Sequence, residues 1–269
     1  MEGMLLGCLA HQTGINGVVD GLHLDFSDPK TVFSNTSRTT NCNSGDALNA
    51  IQDLSPKQNH TTGVSTTNGG SIKYLQWQNN VINGKPAYIL ATAGGTPYHT
   101  FTNPSLFSSY TSTGFTLAVV YSLSSITQSM HFYTFWDSLA PNNRMCWLLF
   151  GGSSGSTNEQ LMNVSRPTFN GALGTVATSP NRSNYIWIVT GSPALGVGYY
   201  VNGVKINTTT AFTTNGLSYQ YAIGRNKDSS GTTSNLFNGA VGEMRLYSGG
   251  RSAVDVQDLY LELKAKWKF

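Results

Sequence analysis

The sequence predicts an all-β protein, an antiparallel β-sandwich with one short C-terminal helix. Three observations predict it. Short apolar segments with alternating or β-branched patterning recur from residue 18 onward, separated by Gly, Pro, Asn and Ser. One separator, Asn202-Gly203 between two such segments, is the signature of a two-residue type I′ hairpin. Helical periodicity is confined to the tail, where Val256, Leu259, Tyr260, Leu263 and Trp267 form one apolar stripe.

Taken in order, residues 1–20 read as an N-terminal arm and residues 21–269 as one domain. Residues 18–26 alternate around Leu22, Leu24 and Phe26 and predict a strand. Residues 27–71 are rich in turn signals, with Ile51 and Leu54 expected to bury beneath a polar segment. Strand-like pieces at 72–77 and 87–91 meet through Asn83-Gly84-Lys85-Pro86, and 93–114 reads as loop, with Tyr98-His99 exposed. Core strands are predicted at 114–123, 130–137, 144–150, 184–190, 197–201, 204–207 and 219–225, with a weaker one at 161–165. In the closing strand, Val241, Glu243, Arg245 and Tyr247 are expected on one face and Gly242, Met244 and Leu246 on the other. The helix follows, with Ser252 as N-cap and Asp255 three residues on. A lone helix of this length is marginal in water, so its stripe must dock on the sheet.

Charged residues are 11% of the chain, against about 25% for an ordinary domain. Net charge is +3 with no basic block, which argues against nucleic-acid binding. No run of apolar residues is long enough to span a bilayer, and the N-terminus lacks the pattern of a signal peptide. Cys8, Cys42 and Cys146 match no zinc spacing, so free thiols and folding in a reducing cytoplasm are expected. Five Asn-x-Ser/Thr sequons (at Asn35, Asn59, Asn163, Asn181 and Asn207) fit chance in a chain so rich in these residues.

Several segments then resemble, in order, one family. Leu22-His-Leu-Asp25, the Ile51–Asn59 segment, Asn83-Gly-Lys-Pro-Ala87 and Phe115–Tyr121 come first. Tyr200-Val-Asn-Gly203, Ala222-Ile-Gly-Arg225, the Phe237–Tyr247 strand and Lys264-Ala-Lys-Trp267 follow. Together they resemble the concanavalin A-like lectin/glucanase superfamily, in particular laminin-G-like (LamG) jelly-roll domains of bacterial surface and phage virion proteins. The resemblance implies a jelly roll displayed on a virion surface, made in the host cytoplasm, as a capsid decoration or fibre protein. Implied partners are other virion structural proteins, further copies of the chain, and cell-surface glycans; nucleic acid and membrane are not among them.

Family members that hydrolyse β-glycans carry closely spaced carboxylates on one strand. Here thirteen acids are scattered, and no two lie at i, i+2 on a predicted strand, so a non-enzymatic protein is expected. Sugar recognition uses aromatic platforms with amide and charged hydrogen-bonding groups. The candidates at strand ends are Trp136, Asp137, Asn142, Arg144, Arg225, Asn226 and Tyr98. No cofactor is required; were calcium bound, Asp137 and Asp228 are the candidate ligands, although turn-capping is their plainer role. A free lectin, and a β-glycan hydrolase, are the alternatives.

Overall fold

A computed structural model describes residues 19–68, 71–73, 75–89, 98–101, 113–123, 130–137, 144–150, 159–165, 171–176, 184–209, 219–223 and 239–269. The predicted arm lies outside these residues except for Val19 and Asp20.

The first strands are β1 (Leu22–Asp25), β2 (Val32–Phe33), β3 (Ala50–Ile51), β4 (Thr61–Val64), β5 (Thr66–Asn68) and β6 (Ser71–Lys73). Next come β7 (Gln76–Ile82), β8 (Lys85–Ile89), β9 (Tyr98–Phe101), β10 (Phe115–Leu123), β11 (Met130–Asp137), β12 (Arg144–Phe150) and β13 (Glu159–Ser165). The series ends with β14 (Gly171–Val176), β15 (Asn184–Ser192), β16 (Gly196–Val201), β17 (Val204–Thr209), β18 (Tyr219–Ile223) and β19 (Gly239–Ser248), then helix α1 (Ala253–Trp267).

One sheet has the order β17-β16-β15-β10-β19-β8-β7, with β1 also paired to β19. The other runs β14-β13-β12-β11-β18-β9-β4-β3-β2, and β5-β6 form a small ribbon. Every neighbour pairing is antiparallel. The predicted sandwich is the observed fold.

The first sheet is buried on both faces. Leu117, Val119 and Tyr121 of β10 join Trp187, Val189 and Leu24 in the core between the sheets. Their neighbours Ala118 and Val120 join Ile186, Ile188 and the helix residues Val256, Leu259, Leu263 and Trp267 in a second core. This is why β10 and β15 are almost continuously apolar rather than alternating. Each fully buried helix side chain contributes about 1.5–3 kcal/mol, and these contacts fix a helix that would otherwise be marginal. Its capping box forms as predicted: the Asp255 amide donates to Ser252 Oγ at 3.3 Å, and the Ser252 amide to Asp255 Oδ2 at 3.0 Å. Lys268 caps the other end in the left-handed region, at φ 57°.

The hairpins at Asn83-Gly84 and Asn202-Gly203 have positive φ at each turn residue, as type I′ geometry requires. Asn83 also reaches across to the helix, its amide donating to the Trp267 carbonyl at 2.9 Å.

Four expectations need correction. Leu54 is exposed, while Ile51 is buried. The reason is Asp53, whose buried carboxylate takes the inward place in that turn. It accepts from the amides of His23, Ser55 and Asn59 and from the Ser55 hydroxyl. The stretch read as loop at 93–114 contains β9, and His99 within it is fully buried rather than exposed. Polar side chains hold it there: His99 Nδ1 meets Thr61 Oγ1 at 2.9 Å and Nε2 meets the Leu48 carbonyl at 3.0 Å. Residues 27–71, read as turns, contain the short strands β2 to β5, and 171–176 form β14, which had no predicted counterpart.

The fourth correction concerns β19. Opposite β10, Tyr121 pairs Val241 and Val120 pairs Glu243, so Gly242 is an extra, bulged residue. The bulge reverses the phase of the strand. Val241 therefore lies with Met244 and Leu246 in the inter-sheet core. Glu243, Arg245 and Tyr247 keep the opposite face, under α1.

Candidate functional site

Strand β1 pairs β19 so that Asp25 faces Glu243 and His23 faces Arg245. Like charges directly opposite on a sheet repel. Here the last turn of α1 lowers a cation between them. Lys266 Nζ stands 2.7 Å from Asp25 Oδ2 and 2.7 Å from Glu243 Oε2. Glu243, only 1% exposed, is the hub. Its Oε1 accepts from Arg245 Nε at 2.7 Å and meets His23 Nε2 at 2.9 Å; its Oε2 accepts from Trp267 Nε1 at 2.8 Å. Arg245 Nη1 continues outward to Glu262 of the helix at 2.6 Å.

Burial by itself would raise the pKa of Glu243. The His23 hydrogen bond and the charges of Arg245 and Lys266 outweigh it and hold this carboxyl well below the usual carboxylate range. Arg245 moves the other way: burial would lower it, and Glu243 above all keeps it firmly protonated.

Ligand atoms of His23, Asp25 and Glu243 all lie within 4.8 Å of one another, a spacing that could suit a metal ion. The Lys266 ammonium already fills that place, so the group reads as an internal ion-pair network. Asp25 and Glu243 also form a close carboxylate pair that sequence spacing concealed, since 218 residues separate them. The pair lies under α1 with a cation between its members, which leaves no space for a sugar ring between the carboxylates.

The residues predicted from sequence fall on the second sheet. Trp136 and Asp137 end β11, Arg144 begins β12, and Trp136 pairs Arg144 in register. Asp137 pairs Tyr219 at the start of β18. Tyr98 begins β9, whose next residue, His99, pairs Ile223 at the other end of β18. Four residues of strand, about 13 Å, therefore separate the Tyr98 end from the Trp136–Arg144 end. Asn142, Arg225, Asn226 and Asp228 lie outside the described residues. Cys42 is a buried free thiol. No helix among the described residues is long and apolar enough to cross a membrane.

A two-sheet antiparallel sandwich with a helix closing the back of one sheet defines the class: an all-β sandwich protein. The same architecture recurs in solved structures. The chain is similar to domain 4 of AbnA, an extracellular GH43 arabinanase from Geobacillus stearothermophilus in complex with arabinotriose. That match has 17% identity and a TM-score of 0.57, covering 89% of this chain and 97% of that one. It is also similar to a mutant Trypanosoma rangeli sialidase displaying trans-sialidase activity, at 12% identity and a TM-score of 0.52 over 92% of this chain. A third is the binding domain of botulinum neurotoxin DC in complex with rat synaptotagmin II, at 13% identity and a TM-score of 0.50 over 92% of this chain. The chain spans 33% of that sialidase chain and 52% of the toxin domain. At these identities the likeness is one of fold. No protein-family model and no curated protein sequence matches the chain.

Proposed function

We propose that this protein is a non-catalytic carbohydrate-binding module whose ligand face is the outer side of the second sheet. The observation that carries the reading is the position of α1. It closes the outer face of the first sheet, so a ligand face on the strands falls to the second. Trp136 and Arg144 pair in register at one end of that second sheet, and an aromatic beside a charged group suits a sugar, while Tyr98 lies at the other end of the sheet. The arabinotriose complex of the arabinanase domain supports the choice of ligand class. The non-catalytic reading is supported by the Asp25–Glu243 carboxylate pair, which is covered by α1 and neutralised by Lys266.

The test is a glycan array, α-arabinan and sialylated glycans included, run with calcium and with a chelator. Binding to a defined glycan class is expected, weakened at least about tenfold in Trp136→Ala. Silence across the array under both conditions overturns the reading. Loss of signal only with the chelator would assign calcium to the site, with Asp137 and Asp228 as the ligands to replace first.

The setting we propose for this module is the surface of a virus particle, in repeated copies beside other virion structural proteins. The Cys42 thiol, free and buried, suits a protein folded in a reducing host cytoplasm. The sparse surface charge suits packing in an assembly. Co-purification with particles through a density gradient is the expected result; a protein found only free in solution overturns this setting without touching the glycan reading.

A further inference from the structure

The two oxygens of Asp25 are held differently. Its Oδ1 accepts from the Ser27 amide at 3.0 Å and from the Ser27 hydroxyl at 2.7 Å. Its Oδ2 faces the Lys266 amine at 2.7 Å. Glu243 Oε2 touches the same amine at 2.7 Å from the other side. An amine, a carboxyl group and a second carboxylate thus meet at one point. Packing positions all three: Glu243 and Trp267 are buried, and the side chains of Asp25 and Lys266 are only 12% and 27% exposed.

We propose that Lys266 and Asp25 join in an intramolecular isopeptide bond, with Glu243 as the proton carrier. The proton that Lys266 holds against Asp25 Oδ2 at 2.7 Å passes to that oxygen, with Glu243 on the same amine completing the relay, which leaves a neutral amine to attack Cγ of a neutral Asp25 carboxyl. The two Ser27 donors hold Oδ1 as charge gathers on it, the role of an oxyanion hole. The Cγ–Nζ bond forms and the Cγ–Oδ2 bond breaks. Two of the three ammonium protons leave with Oδ2 as water, the second passed through Glu243, and the third stays on the amide nitrogen. One carboxylate and one ammonium become one amide and one water, so no oxidant, metal or activating group is needed. The fold supplies the effective concentration that free lysine and aspartate lack.

The charge balance of the product favours the step. A cation and an anion vanish together. Glu243 then keeps Arg245, His23 and the Trp267 indole N–H as partners, so no buried carboxylate is stranded. The bond would tie the first strand of the domain to its last helix.

The test is the intact mass of the purified, denatured full-length protein, followed by peptide mapping. Expected is a mass lower than the sequence by one water, with a branched peptide joining the Asp25 and Lys266 segments. Lys266→Arg and Asp25→Ala should restore the full sequence mass. Glu243→Gln should slow bond formation by roughly a hundredfold while the far-UV circular dichroism stays native. Should Glu243→Gln fail to fold, the Lys266→Arg mass still decides. A wild-type mass equal to the sequence after prolonged incubation of the folded protein overturns the proposal, as does a water loss that maps to other residues.

Discussion

The ring of Trp267 occupies the space where a side chain at Gly242 would begin. The strand bulges at this glycine, and the indole lies over it, its N–H donated to the neighbouring Glu243 at 2.8 Å. Sheet and helix fit closely at that contact. Gly242→Ala should cost roughly 3 kcal/mol or more, because the added carbon meets a buried ring that cannot swing away. Chemical denaturation checks this, and Trp267→Leu in the alanine background should recover part of the loss, since it removes the clash.

Arg245 is the main charge partner of the Glu243 carboxylate. Arg245→Met leaves that buried anion short of a counter-charge and should destabilise the fold by about 3–5 kcal/mol. Adding Glu243→Gln should restore a good part of it. A double-mutant cycle by urea denaturation reads the coupling, and strict additivity of the two changes would contradict the network described.

The short turn at Asp53 depends on a single side chain. Its carboxylate accepts four hydrogen bonds and is buried. Asp53→Ala strands three backbone amides and a hydroxyl and should cost about 2–4 kcal/mol. The His23 amide is one of the four, so hydrogen exchange there should speed up, while the distant hairpin at Asn202 stays protected.

His99 sets a pH dependence. Burial lowers its pKa to about 4, against a weaker opposing effect from the Leu48 carbonyl. The unfolded chain takes up its proton near 6.5, well before the folded one does. Stability is therefore complete above pH 6.5 and falls as the pH drops toward 4, by about 3 kcal/mol over that window. Thermal melts across this range check it, and His99→Gln should flatten the slope.

The sequence made some of these elements legible and hid others for identifiable reasons. Helix α1 was readable because its cap, its stripe and its charges all act over one or two turns. Strands β11 and β12 were readable because runs such as MHFYTFWD and RMCWLLF are long and bounded by turn residues. Strand β9 was not, because polar side chains hold it: its His99 bonds to Thr61, 38 residues away. The bulge at Gly242 was hidden because a phase change in a strand depends on its partner. The Asp25–Glu243–Lys266 meeting was hidden more deeply, since Lys266 and Asp25 are 241 residues apart. Local pattern carries no information about which strands become neighbours. The sugar-site candidates came from residue type at strand ends, and register then divided them between two ends of one sheet.

Strand β19 bears on how the protein can be made. It is a central strand of its sheet, placed between β10 on one side and β1 and β8 on the other, yet it comes almost last in the chain. A ribosome that has delivered everything up to β18 has produced sheet edges with no centre and an Asp25 without its cation. Domains that fold during synthesis do so once their closing elements emerge. For this one, that moment comes only when Lys266 and Trp267 leave the exit tunnel. Until then β1, β8 and β10 lack the strand that joins them.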